Sequence, residues 1–324
     1  MTDELQPVQN WNFSRDFPEI GQDLIDRPHF LETIVEILNQ ETRVVFLEGE
    51  EGDGATTTLA QFCIKYPTHS FSLFIKPASR FAYSPDYLRL ALAEQIYWYV
   101  YGSALNKESL DISEFDTLVL RMRAKERNTT LYFAIDGLHQ IPVNDQRLVS
   151  QIFSEVLPLG VDNCRFIITG LQSQLAPLIR GKLKSKPYQQ LRFRPEDSRL
   201  FLSKSNLNES DCNTVHQLCK GIPGRLAAIK RLLTSGTDLP TILETDPSKY
   251  LEFIKLEFLP LEGMDKNQKL IIATISFSKI ALSIAELSNL LSEPGQKIIE
   301  TLNACQFLTV NSTSGVIEFV SVGH

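Results

Sequence analysis

A short β-branched run, Val44-Val45-Phe46-Leu47, gives way to Gly49, Gly52 and Gly54, and Ala55-Thr56-Thr57-Thr58 then opens a helical stretch. Strand, glycine loop and helix in that order begin a parallel α/β unit, because a strand that pairs in parallel must return through a crossover. The glycines allow backbone N–H groups to converge, and the following helix adds the positive end of its dipole, so the segment is built to hold an anion such as phosphate. Gly49–Thr56 fits the phosphate-loop pattern G-x-x-x-x-G-K-[ST] everywhere except at the lysine, where Ala55 stands. A plain glycine-rich turn is the competing reading.

Further strands recur at α/β spacing. They are expected over 43–49, 70–76, 130–136 and 164–170, with a shorter one over 189–194. The segment TLYFAID (130–136) is apolar on both faces, as a central parallel strand requires. Helical periodicity covers Pro28 onward, 85–101, 113–125 and 145–157. The fold class is therefore α/β, a doubly wound five-stranded parallel sheet of the P-loop NTPase type. After it come helices over 196–236, interrupted by GIPG (221–224), and a helix over 247–258. Three more helices lie beyond Lys266, and two short strands, FLTV and VIEFV, close the chain. That last set describes a winged-helix module. The expected organisation is an extended leader over 1–26, an NTPase-like domain over 27–195, a helical lid over 196–262 and a winged helix over 263–324.

Composition narrows the function. Of the 324 residues, 32 are Lys or Arg and 39 are Asp or Glu, a formal charge of −7. An acidic chain is a poor general binder of nucleic acid or of membrane surfaces. No run approaches the roughly 18 apolar residues of a membrane span, and the N-terminus lacks the pattern of a signal peptide. Five widely spaced cysteines without a CxxC argue against disulfides or structural zinc and for a cytoplasmic setting. Cys212, His216 and Cys219 lack a nearby fourth ligand, so they are read as helix residues.

Two positions suit a metal-bound nucleotide. Thr56 offers a hydroxyl at the loop's end, and Asp136 closes an apolar strand at the carboxyl edge of the sheet, where open α/β folds bind ligands. A strand-end helix cap is the plainer reading of Asp136. Glu48, Glu50, Glu51 and Asp53 crowd the loop, with no basic residue near them in the sequence.

The segments LIDRPHFLETIVEIL, VVFLEGEEGDGATT, YFAIDGLHQ, CRFIITGL, LRFRPEDSRLFL and GIPGRLAAI occur in the order seen in STAND NTPases. These are the signal-transduction P-loop ATPases that include NACHT and NB-ARC proteins, and the chain resembles them over about residues 24–324. The resemblance implies ATP or ADP with Mg²⁺ as cofactor. It places Arg27 near the adenine, and Gly49, Gly52, Gly54, Ala55, Thr56 and Thr57 around the phosphates. It makes Thr56 and Asp136 the Mg²⁺ ligands and Pro223 the lid proline that packs on the base. It also implies a winged helix that closes over the nucleotide at rest.

The departures from the family share a direction. The lysine is Ala55; the acids that follow the Asp136 element are replaced by His139 and Gln140; the polar sensor after CRFIIT is replaced by Gly170 and Leu171. Loss of a single charge-stabilising group costs roughly 10²–10³ in rate, so hydrolysis is not expected and no catalytic residue is assigned. The expected function is a regulatory core that binds ATP or ADP weakly or not at all. It would act as a switch or oligomerisation scaffold in signalling or defence, with protein partners or copies of itself. The alternatives are an active Mg-dependent ATPase switch and a DNA-binding, initiator-like protein. Lys297 flanked by Glu293 and Glu300 argues against the last. The basic set Arg180, Lys182, Lys184, Lys186, Arg192 and Arg194 is read as a solvated loop and strand edge, and the aromatic run 97–101 as core packing.

Overall fold

The computed structural model describes residues 17–18, 25, 27–50, 52–76, 80–125, 127–179, 183–189, 191–244, 258–278, 281–305, 307–310 and 315–319. The leader expected over 1–26, apart from Phe17, Pro18 and Ile25, lies outside the described residues, as do Arg180, Lys182 and the helix expected over 247–258, apart from Phe258.

The elements begin with α1 (Pro28–Asn39), β1 (Val44–Leu47), α2 (Ala55–Lys65), β2 (Ser70–Phe74), α3 (Pro85–Tyr101), α4 (Ile112–Lys125) and β3 (Leu131–Asp136). There follow α5 (Gln146–Glu155), β4 (Cys164–Thr169), α6 (Gln172–Leu175), β5 (Ser185–Tyr188), α7 (Pro195–Leu202), α8 (Glu209–Cys219), α9 (Pro223–Thr234) and α10 (Leu239–Glu244). The last are α11 (Lys266–Phe277), α12 (Ile284–Leu291), α13 (Gly295–Asn303), β6 (Leu308–Val310) and β7 (Ile317–Phe319). The described residues divide into two compact units. One holds those between 27 and 49 and between 55 and 191; the other holds the loop residues 50 and 52–54 and those from 192 onward.

In the first unit five parallel strands pair in the order β2-β3-β4-β1-β5. Their alternation builds two cores. Val44, Phe46, Phe133 and Phe166 point into one face, packed by residues of α3, α4 and α5. Val45, Leu47, Ala134 and Ile167 point into the other, packed by residues of α1 and α2. Period-2 side chains on a sheet covered on both sides give this outcome, and the strands read as apolar throughout for the same reason. The rings of Phe71, Phe133 and Phe166 stack across three strands at 5.0 and 5.3 Å. At the β2 edge, buried Gln95 of α3 accepts the Ser72 amide and donates to the Ser72 carbonyl, each at 2.8 Å. It thereby closes a ladder that has no strand on that side.

The fifth strand differs from the sequence expectation. It is Ser185–Tyr188, in register from Val44↔Ser185 to Leu47↔Tyr188, and not 189–194. An edge strand tolerates Pro187, and only Tyr188 of the four is buried, its ring edge-on to Phe30 at 5.0 Å. The two apolar residues of 189–194 serve elsewhere: Leu191 is buried, and Phe193 packs in a core of the second unit.

That second unit has two apolar clusters. Leu202, Val215, Cys219, Leu226, Ile229 and Ile242 hold α7–α10 together. Ile271, Leu287, Ile298, Phe307 and Ile317 hold α11–α13 with the antiparallel pair β6–β7. Caps mark several helix starts: Asn208 accepts the Asp211 amide, and Asp265 and Ser283 each form a reciprocal box with the third helical residue.

Candidate functional site

The first unit brings together the two metal-ligand candidates. Thr56 sits in the first turn of α2, and its hydroxyl donates to Oδ2 of Asp136 at 2.7 Å. The other oxygen, Oδ1, accepts from the hydroxyl of Thr169 at the end of β4. Thr169 also accepts the Gly137 amide at 3.3 Å. Asp136 is buried, 6% exposed. Backbone pairing fixes the frame: Ile135 is opposite Ile168, and Leu47 is opposite Thr169. Gly137 follows at φ +84°, where a β-carbon would lie 2.1 Å from the Ile75 carbonyl, so only glycine lets β3 end there.

This donor set fits Mg²⁺. A threonine hydroxyl has one proton and two lone pairs. With its proton on Asp136, Thr56 keeps lone pairs for a cation. Mg²⁺ characteristically takes few protein oxygens and completes its shell with phosphate and water. Asp136 is the last residue of β3, at the strand end where the sequence placed it. Its second partner, Thr169, was not foreseen, although a threonine closing the apolar run CRFIIT was the available signal.

The second unit holds the heart of the glycine loop. Gly52 and Gly54 both adopt φ +84°, which a side chain would strain. The amide of Gly224 donates to the Gly52 carbonyl at 2.8 Å. A β-carbon on Gly224 would stand 2.8 Å from the Gly52 Cα, and one on Gly54 would stand 3.5 Å from Pro223 Cγ. Pro223 is thus the first residue of α9, and α9 begins against the loop. GIPG is a close backbone approach of loop and helix as well as a break between helices.

The loop acids differ from the sequence expectation, which found no basic residue near them. Arg192 reaches them: its Nε is 3.3 Å from Oδ1 of Asp53 and its Nη2 is 3.3 Å from Oε2 of Glu50. Asp53 folds back and accepts the Glu50 amide at 2.8 Å. In the first unit, Glu48 accepts the Gln172 amide and the Gln189 side-chain amide, each at 2.7 Å. Three of the four acids are therefore held by donors; Glu51 lies outside the described residues. Arg192 lies far from the loop in sequence, so local reading misses it.

The remaining candidates are more dispersed. Arg27 donates to the Leu191 carbonyl at 3.0 Å and to the Thr58 hydroxyl at 3.3 Å, and lies over the Phe30 ring. Its charge is thus engaged in tying α1 to α2 and to the end of the sheet segment. Gly49 and Thr57 are exposed, and Ala55 is half-buried at the start of α2. His139 is exposed, beside Gly170. The basic set is spread out: Lys184 pairs with Glu41, Arg192 with the loop acids, and the Arg194 amide caps onto Asp197. Tyr97, Tyr99 and Val100 pack against the core as expected, while Tyr101 is exposed. Among the described residues no cluster of three or more His, Cys, Asp or Glu is placed to bind a metal, and no helix is long and apolar enough to cross a membrane.

No protein-family model and no curated protein matches the sequence. Solved structures do. A Walker-type ATPase of Pyrococcus abyssi is similar over 92% of this chain and 94% of its own, with 14% identity and a TM-score of 0.51. A STAND protein with a tetratricopeptide repeat sensor from Pyrococcus horikoshii is similar over 98% of this chain, with 15% identity and a TM-score of 0.55. The present chain spans only 43% of that second protein. The chain has the P-loop NTPase fold, of the kind found in STAND proteins.

Proposed function

We propose that this chain is the core of a STAND-type switch that binds ADP or ATP with Mg²⁺ weakly and hydrolyses neither. The observation that carries the reading is the Thr56–Asp136–Thr169 network, a cation-ready hydroxyl and carboxylate directly after a glycine loop whose lysine is Ala55. The metal half of a nucleotide site is present, and the ammonium that draws charge off the terminal phosphate is replaced by a methyl group. In this reading Thr56 and Asp136 would hold Mg²⁺, which would offset the negative charge of the phosphates. Thr56 would offer its hydroxyl oxygen, and Asp136, which accepts the hydrogen bond of that hydroxyl, holds it in place. Thr169 keeps the carboxylate aimed.

The rest of the switch follows from the fold. The α11–α13 and β6–β7 set, read as a winged helix, and the helices over 195–244 supply the parts whose arrangement a nucleotide would bias. The partner is another protein or a second copy of the chain, in a cytoplasmic signalling or defence assembly. The support is fold likeness to a STAND protein that carries a sensor, together with five buried cysteines, none bonded to another. Nucleotide released from the freshly purified protein by acid tests the binding half: recovered ADP or ATP supports it. Phosphate release over hours tests the other half. Steady release that Asp136→Ala abolishes would contradict a silent site.

A further inference from the structure

At the opposite edge of the sheet, where β3 and β4 begin, a cavity of about 660 Å³ opens beside the end of α4. Sites for small organic molecules span about 300–1,000 Å³. Arg123, Arg127 and Arg165 line the cavity, and Asp162 is the only acid among its described lining residues. In a chain of formal charge −7, the lining thus carries a local excess of two positive charges. Arg165 is fixed by the main chain: Nε donates to the Leu38 carbonyl at 3.0 Å, and Nη1 to those of Asp162 and Cys164 at 2.7 and 3.1 Å. Arg123 sets Nη2 on Oδ2 of Asp162 at 3.0 Å. Arg127 is exposed and makes no hydrogen bond or ion pair with any described residue. The positive field extends inward. Burial raises the Cys164 thiol, and Arg43, Arg165 and Arg123 all oppose that rise. Burial, and after it the charge of Arg165, lowers the pKa of Arg43. The Nε of Arg43 is closed to solvent and has no hydrogen-bond partner among the described residues.

Arginines at a sheet edge can serve as ties alone. Arg165 is such a tie, but Arg127 ties nothing, and Arg123 meets an aspartate that is itself 81% exposed. An exposed pair of that kind contributes only about 0–1 kcal/mol, so a better acceptor displaces it. Leu120 and Ala124, one turn apart on α4, give the same cavity an apolar wall. We propose that this cavity binds a small organic phosphate, with its phosphoryl group among the guanidinium groups and its organic part against Leu120 and Ala124. The planar fork of guanidinium matches phosphate oxygens. A phosphomonoester carries a charge of about −2 at pH 7, which equals the excess of the lining; a carboxylate meets half of it. A nucleic-acid backbone needs an extended basic stripe, and a single cavity in an acidic chain offers none. Six-residue β3 runs about 17 Å from this edge to Asp136, so the site stands apart from the Thr56–Asp136–Thr169 network and does not rest on the nucleotide reading.

Calorimetric titration of the full chain with phenyl phosphate, at low salt and with Mg²⁺ chelated, tests the assignment. Saturable binding is expected, and it is expected to strengthen between about pH 5 and pH 7.5 as the phosphate passes its second ionisation near 6. Benzoate is expected to bind at least about tenfold more weakly, for want of the second charge. Arg127→Gln is expected to weaken phenyl phosphate about tenfold, the loss of one charge-assisted contact, and Arg123→Gln with Arg127→Gln about a hundredfold. Both side chains are exposed, so an unchanged thermal midpoint is expected of each variant; should the double variant fail to fold, Arg127→Gln alone decides. No binding by the wild type, equal affinity for benzoate, or phenyl phosphate affinity untouched by these substitutions would overturn the site. Displacement of phenyl phosphate by a single-stranded oligonucleotide would also overturn it, in favour of a nucleic-acid surface. Loss of ADP or ATP binding would leave it standing.

Discussion

Thr169 and Asp136, at the ends of neighbouring strands β4 and β3, share a hydrogen bond, and Thr169 takes the Gly137 amide on its other side. The hydroxyl thus satisfies a buried carboxylate and a buried backbone donor at once. Thr169→Val keeps the shape and removes both contacts. The expected cost is about 1–3 kcal/mol, the penalty for stranding buried polar groups, read as a lower midpoint in denaturant. An unchanged midpoint would show that the bond contributes nothing to the fold.

Gly224 approaches Gly52 too closely for any side chain. Gly224→Ala forces the start of α9 away from the glycine loop. The expected loss is about 1–3 kcal/mol of overpacking, or roughly 2–4 °C in Tm per kcal/mol for a unit of this size. Thermal unfolding of the variant checks it, with Gly236→Ala as a comparison where a β-carbon meets open space but φ is +90°. That second variant isolates backbone strain from the clash.

Much of the fold was legible, and the reasons are local. β1, β3 and β4 are apolar on both faces because both faces are covered, and the glycine loop announced the crossover into α2. β5 was misplaced because an edge strand buries only Tyr188, while the apolar Leu191 and Phe193 serve packing elsewhere. In the site, Thr56 and Asp136 were legible as types at expected positions. Thr169 and Arg192 were not, since each acts through a partner far away in sequence. The acidic loop looked hostile to phosphate until Arg192 and the main-chain amides were seen to hold Glu50, Asp53 and Glu48.

Ala55 stands half-buried at the start of α2. Ala55→Lys restores the ammonium of the pattern. A unit charge pair at about 4 Å contributes roughly 1–4 kcal/mol as the effective dielectric falls from water's to about 20. The expected result is tighter ATP binding by about tenfold or more, with AMP unaffected, measured by displacement of a fluorescent nucleotide. Equal affinities for wild type and variant would place the phosphates away from this position.

Burial raises the thiols of Cys164 and Cys219 to about 12 and that of Cys305 to about 11. At pH 8 the thiolate of Cys164 is then roughly a thousandfold scarcer than for a thiol at its ordinary value of 9.0. Native protein is expected to resist alkylation at pH 8 and to label fully once unfolded. The linkage runs the same way. A thiol raised in the folded state contributes its stability in full below about pH 9. That contribution is lost as the pH climbs toward 12, because the unfolded chain ionises first. Rapid labelling of the native chain at pH 8 would show that these cysteines open to solvent.

A calorimetric titration of the wild-type chain with Mg-ATP tests the central claim most directly, because it reads binding and turnover in one trace. The account expects a saturable binding heat that weakens when Mg²⁺ is chelated, followed by a return to the starting baseline. No binding heat would contradict a nucleotide site, and a baseline that stays displaced by continuing hydrolysis would contradict a silent one.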